Sequence, residues 1–103
     1  MRSRYSAYAA RDVEFILATT HPSGPHHRAD AAAWARDVAA FCRDTRFLGL
    51  EVLAAVEDGA DVGWVTFRAR LTRGERDASF VERSRFERVD GRWLYHSGAA
   101  PSE

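Results

Sequence analysis

Glu82 is the residue best placed to do chemistry. It lies in the run Phe80-Val81-Glu82-Arg83-Ser84-Arg85-Phe86. Alternate residues of an extended chain share a face, so Glu82 and Ser84 fall between Phe80 and Phe86. A carboxylate in apolar surroundings is harder to ionise and can act as acid or base near neutrality. The competing expectation is an internal bridge to an arginine of the first helix, such as Arg4, because a buried carboxylate without a partner is expensive. No second acid, His–Asp pair or activated nucleophile stands near Glu82 in sequence, which argues against catalysis, and no catalytic residue is assigned. Ser84, Tyr8, Trp34, Tyr95 and His21 are the other candidates to line a pocket with it.

A second constellation is basic. All 15 basic residues are arginine and are balanced by 15 acidic ones. Arg68, Arg70, Arg83 and Arg85 interleave with Trp64 on strand-like segments. Arg and Trp are frequent anchors of protein contacts, which makes this group a candidate surface for a homodimer or protein partner. The bland alternative is a solvated face whose arginines pair across strands with Glu87 and other acids. Residues 63–102 carry a mild positive excess, too small to mark a nucleic-acid protein.

The four histidines, His21, His26, His27 and His96, do not make a metal site. Two of them are adjacent, and no cysteine or ordered carboxylate spacing supports them. Cys42 is the only cysteine, so no disulfide forms within the chain, and its apolar helical setting reads as a buried small hydrophobe. No metal and no cofactor are expected. No apolar run approaches a membrane span, and the first residues lack an apolar signal core, so the expected compartment is the cytoplasm.

These residues sit on elements that the periodicity predicts. A helix is expected over 2–10, broken at Arg11-Asp12, with Asp12 capping a short second helix that ends near Thr20, ahead of Pro22. His21 to Arg28 reads as a loop. Asp30 caps a third helix over about 31–44 with an apolar stripe of Trp34, Val38, Phe41 and Cys42. The period then changes to two. Leu48, Leu50, Val52, Ala54 and Val56 alternate along a first strand, with Leu53 on its other face. A second strand runs over 62–73, a loop over 74–77, a third strand over 78–89, and Asp90-Gly91 turns into a fourth over 92–97. The expected register pairs Leu71 with Phe80, Phe67 with Ser84, Phe86 with Tyr95 and Ser84 with Ser97. It puts Phe67, Leu71, Phe80, Phe86 and Trp93 on one side of the sheet, with Arg68, Arg70, Arg83, Arg85 and Arg92 on the other. The fold class is α+β: a curved antiparallel sheet of about four strands on three N-terminal helices. One domain is expected over 1–98, followed by a frayed tail over 99–103.

The opening Met1-Arg2-Ser3-Arg4-Tyr5-Ser6-Ala7-Tyr8-Ala9 resembles a signature of the bacterial YchJ family. Asp12-Val13-Glu14-Phe15, Thr20-His21-Pro22, Leu48-Gly49-Leu50-Glu51-Val52, Glu82-Arg83-Ser84-Arg85-Phe86 and Asp90-Gly91-Arg92-Trp93-Leu94-Tyr95 resemble it in the same order. The resemblance implies the cone-like, nuclear-transport-factor-two-like fold of that family's central domain. It differs in lacking the cysteine-rich, zinc-binding SEC-C segments usual in the family, so no zinc role carries over. Because that superfamily includes enzymes, ligand-binding proteins and interaction modules, the fold does not choose among them. The leading expectation is an accessory or protein-interaction domain without catalysis, self-associating through the arginine face. The alternative is a small-molecule-binding or enzymatic cone pocket centred on Glu82.

Overall fold

Residues 1–101 are described by a computed structural model. The chain runs α1 (Arg2–Ala9), α2 (Val13–Ala18), α3 (Ala31–Asp44), β1 (Arg46–Glu57), β2 (Val62–Arg73), β3 (Arg76–Asp77), β4 (Phe80–Val89) and β5 (Arg92–Ala99). Asp12 and Asp30 cap α2 and α3 as expected, accepting from Phe15 N at 3.2 Å and Ala33 N at 3.0 Å. α1 ends differently. Asp12 N donates to Ala7 O and Arg11 N to Tyr8 O, the paired bonds of a Schellman motif. That motif puts Arg11 at φ 60°, a left-handed position that usually selects glycine.

The antiparallel sheet has the order β1-β2-β4-β5, with β3 a short extension paired to β2. Its inner face carries the expected apolar set, but the register differs. Ala69 pairs with Phe80, Phe67 with Glu82 and Val65 with Ser84, two residues away from expectation. The cause is the turn. Arg73 pairs with Arg76, so Gly74-Glu75 is a two-residue turn with Gly74 at φ +62°, and no four-residue loop forms. Ala78-Ser79 then breaks the ladder, and Ser79 Oγ accepts from Leu71 N at 3.0 Å. A shift of two residues leaves every side chain on its expected face, because the pleat repeats every two.

Bulges account for the other departures. β1 bulges at Leu48 and at Leu53, and each extra residue reverses which side chains face inward. Phe47, Leu50 and Val52 therefore pair with inward residues of β2, while Val56 pairs with outward Trp64. Leu48 is 60% exposed and Val56 57% exposed, so the unbroken inward alternation from Leu48 to Val56 does not form. In the β4–β5 hairpin Phe86 pairs with Tyr95 as expected, but a bulge at His96 moves Ser84 from Ser97 onto Gly98. β5 continues to Ala99, past the expected start of the tail, and residues 102–103 lie outside those described.

The helices cover the concave side of the sheet. Two apolar clusters result. Ala7, Ile16 and Cys42 pack with Tyr8, Phe15, Leu17 and Val38 among the helices. Phe67, Ala69 and Leu71 pack with Tyr5, Phe41, Phe47 and Leu50 against the sheet. Cys42 is buried, and burial raises its thiol pKa, as expected of a core residue. Among the described residues no helix is long and apolar enough to cross a membrane.

Because Arg11 holds a left-handed conformation, Arg11→Gly should raise stability by roughly 0.5–1 kcal/mol. A urea denaturation midpoint that does not rise would show that the turn carries no strain.

Candidate functional site

The two clusters do not meet completely. Between them lies a cavity of about 400 Å³, lined by residues of all three helices, the loop after α2, and strands β1, β2, β4 and β5. It is partly open to solvent, where His26, Arg28 and Phe80 on its wall are exposed. It has the size of a small-molecule site and, apart from one polar end, an apolar wall.

Arg4 forms part of that polar end. It is only 6% exposed, and its Nη1 donates to Ile16 O at 3.2 Å, Thr19 Oγ1 at 2.7 Å and Thr20 Oγ1 at 3.3 Å. The receiving threonines are prepared by the last turn of α2. Thr19 Oγ1 donates to Phe15 O at 2.7 Å and Thr20 Oγ1 to Ile16 O at 2.8 Å, which leaves their lone pairs for the guanidinium. The guanidinium carbon lies 4.7 Å from the centroid of the Tyr95 ring, a cation–π contact. Burial lowers the Arg4 pKa, and nearby Tyr8 and Tyr95 partly offset that.

Glu82 meets the Tyr95 side chain at its hydroxyl. Its Oε2 accepts from Ser84 Oγ at 2.5 Å and from Tyr95 Oη at 3.2 Å. The carboxylate leans over β5 where Gly98 has no side chain, and a Cβ at Gly98 would overlap the Glu82 carboxylate. Tyr95 is anchored through its backbone as well. Tyr95 N donates to Thr19 O and His21 N to Tyr95 O, both at 2.7 Å, so the exit of α2 extends the sheet edge beside β5. Burial, and then the Glu82 carboxylate, push the Tyr95 phenol pKa well up, and burial does the same to Tyr8.

The structure brings together most, but not all, of the expected pocket residues. Glu82, Tyr8, Trp34 and Tyr95 line the cavity. Ser84 is fully buried behind Glu82 and supports it without lining the space. His21 is placed elsewhere. Its chain wraps round the β5 edge, and its Nε2 lies 3.3 Å from Glu87 Oε1 on the outer side, beside His96. His21 follows the backbone pairing of the α2 exit, a constraint that local sequence does not carry. The direct Arg4–Glu82 bridge does not form either; both groups engage Tyr95 instead, Arg4 over its ring and Glu82 at its hydroxyl. Thr20, His26 and Arg28 join the cavity wall although none is an expected pocket residue, and Gly98 gave no signal at the expected end of the domain.

On the opposite face, Trp64 packs under Arg83 at 4.2 Å and Arg85 at 5.5 Å. Arg85 bonds Glu87 at 2.9 Å and Arg68 bonds Glu51 at 3.1 Å, the cross-strand and local pairing of a solvated face. Arg70 stays exposed on the same side.

A curved antiparallel sheet covered on its concave side by helices, with a cavity between the layers, defines a protein of the NTF2-like class. Residues 1–98 match the family described as YchJ, middle NTF2-like domain, and the chain belongs to that family. Solved structures agree. A SEC-C motif containing protein from Rhodopseudomonas palustris is 36% identical with a TM-score of 0.81, over 99% of this chain and 76% of that one. A second SEC-C motif containing protein, from Psychrobacter arcticus, is 22% identical with a TM-score of 0.73, over 100% of this chain and 59% of that one. Both relatives extend beyond the region they share with this chain. A chain designated Rd1NTF2_05 shares the fold at 11% identity, with a TM-score of 0.72 over 94% of this chain and 89% of that one.

Raised tyrosine pKa values have a fixed sign in stability. The folded state favours the neutral phenol, so stability is held below the unfolded pKa near pH 10 and lost as pH rises above it. Chemical denaturation across this range should show an alkaline decline that is shallower in Tyr95→Phe. An identical decline in both proteins would show that Tyr95 does not contribute to it.

Proposed function

We propose that this domain binds a small molecule in the cavity between sheet and helices, with Glu82 as its central polar group. The observation that carries the reading is the open volume itself. A filled interior with Glu82 tied to arginine would need no ligand. Here about 400 Å³ stays unfilled, and Glu82 is held by hydroxyls at its wall. Binding without catalysis is the form we favour, because among the described residues no second acid or activated nucleophile lines the cavity wall beside Glu82.

A second reading, an accessory domain that associates with itself or another protein, draws support from the outer face. Val56, 57% exposed, pairs directly with Trp64, placing apolar area beside the arginines.

A thermal-shift screen against metabolites, run on wild type and Glu82→Gln, separates the two. Binding in the cavity predicts a stabilising shift that is reduced or lost in Glu82→Gln. Ala69→Leu adds bulk to the cavity wall. It should cost less than about 1 kcal/mol, below the 1–3 kcal/mol typical of an overpacked core, and should abolish the shift. No shift with any compound, together with a large stability loss in Ala69→Leu, would favour the accessory reading.

A further inference from the structure

The polar end of the cavity presents two hydrogen-bonding edges that the protein leaves unused. Arg4 spends Nη1 on three acceptors; Tyr8 stands close to the guanidinium, but among the described residues none forms a well-formed hydrogen bond with Nε or Nη2. No carboxylate of the described residues forms an ion pair with it, although the side chain is almost wholly buried. Glu82 spends Oε2 on two hydroxyls, and none of the described residues donates to Oε1. Buried charges are ordinarily paired, and a guanidinium edge is shaped for a carboxylate. The two edges flank one side chain, with Arg4 over the ring of Tyr95 and Glu82 at its hydroxyl. Beyond them the wall is aromatic: Trp34 and Phe41 come from α3, Phe67 from β2 and Phe80 from β4.

We propose that the cavity takes a small aromatic zwitterion, a compound of the amino-acid class. Its carboxylate sits on the free edge of Arg4, its ammonium on Glu82 Oε1, and its ring among Trp34, Phe67 and Phe80. This rests on the cavity-binding reading above and names its ligand class. Charge matching selects the zwitterion. A simple acid leaves Glu82 without a counter-charge, and a simple amine leaves Arg4 without one. Arg28, the other guanidinium on the wall, is paired with Asp37, so a phosphate dianion would bring two negative charges to Arg4 alone, with a carboxylate close by.

Four probes with one ring isolate the charges: phenylalanine, 3-phenylpropionate, phenethylamine and 2-phenylethanol. Proton–nitrogen correlation NMR on the whole chain follows the Arg4 Nε–H and the amides of Thr20, Glu82 and Tyr95 during each titration. Phenylalanine should bind at least about tenfold tighter than 2-phenylethanol, since charge-assisted hydrogen bonds are each worth roughly that factor, with the two singly charged probes between. Glu82→Gln should erase the advantage of phenylalanine over 3-phenylpropionate. Arg4→Lys should weaken its advantage over phenethylamine. Because Arg4 is buried and its variants can unfold, the wild-type ranking carries the test alone. Equal binding of all four probes, or tightest binding of the neutral one, overturns the ligand class and leaves the cavity reading intact. Failure of all four likewise overturns the class. If the metabolite screen is also blank, the cavity reading falls with it.

Discussion

A guanidinium taken out of water must find acceptors, and Arg4 finds them in the last turn of α2. That requirement joins three parts of the fold. It fixes α1 against α2, it makes the Thr19-Thr20 hydroxyls relay their bonding from helix carbonyls to the arginine, and it lays the cation across Tyr95 on β5. Since the Tyr95 backbone bonds Thr19 and His21, the same small region closes the sheet edge. Removing a buried charge's partners ordinarily costs several kcal/mol, so these groups are held as a unit.

The hydroxyl of Tyr95 carries the arrangement on to Glu82 and, through it, to Ser84. Opposite charges therefore lie near one another without touching. A direct ion pair would use up both groups and leave the cavity with an inert wall. Engaging Tyr95 instead, one over its ring and one at its hydroxyl, keeps one edge of each group free. The apolar clusters above and below supply the folding energy, so the gap between them can remain without threatening the fold.

Much of the architecture was legible because it rests on local rules. Asp12 and Asp30 stand where caps must be, Asp90-Gly91 makes its turn, and alternation set the faces of β2 and β4. What escaped was set by contacts between distant segments. The bulges at Leu48, Leu53 and His96 bend strands around the helices, a demand of curvature that no nearby residue announces. The turn at Gly74-Glu75 moved the register by two, yet the faces survived because the pleat has period two. At the site, Glu82 was legible as a charge in an apolar run. Arg4 was recognised only as a conceivable partner, since its true acceptors belong to another helix. Gly98 was invisible, because its value lies in what crosses over it.

A double-mutant cycle between Arg4→Met and Glu82→Gln tests the separation of these charges most directly, with unfolding free energy in urea as the readout. The account predicts a coupling of about 1 kcal/mol or less, as for charges that do not touch. A coupling of roughly 3–5 kcal/mol, the cost of breaking a buried ion pair, would mean that Arg4 and Glu82 neutralise one another and that no free edges face the cavity.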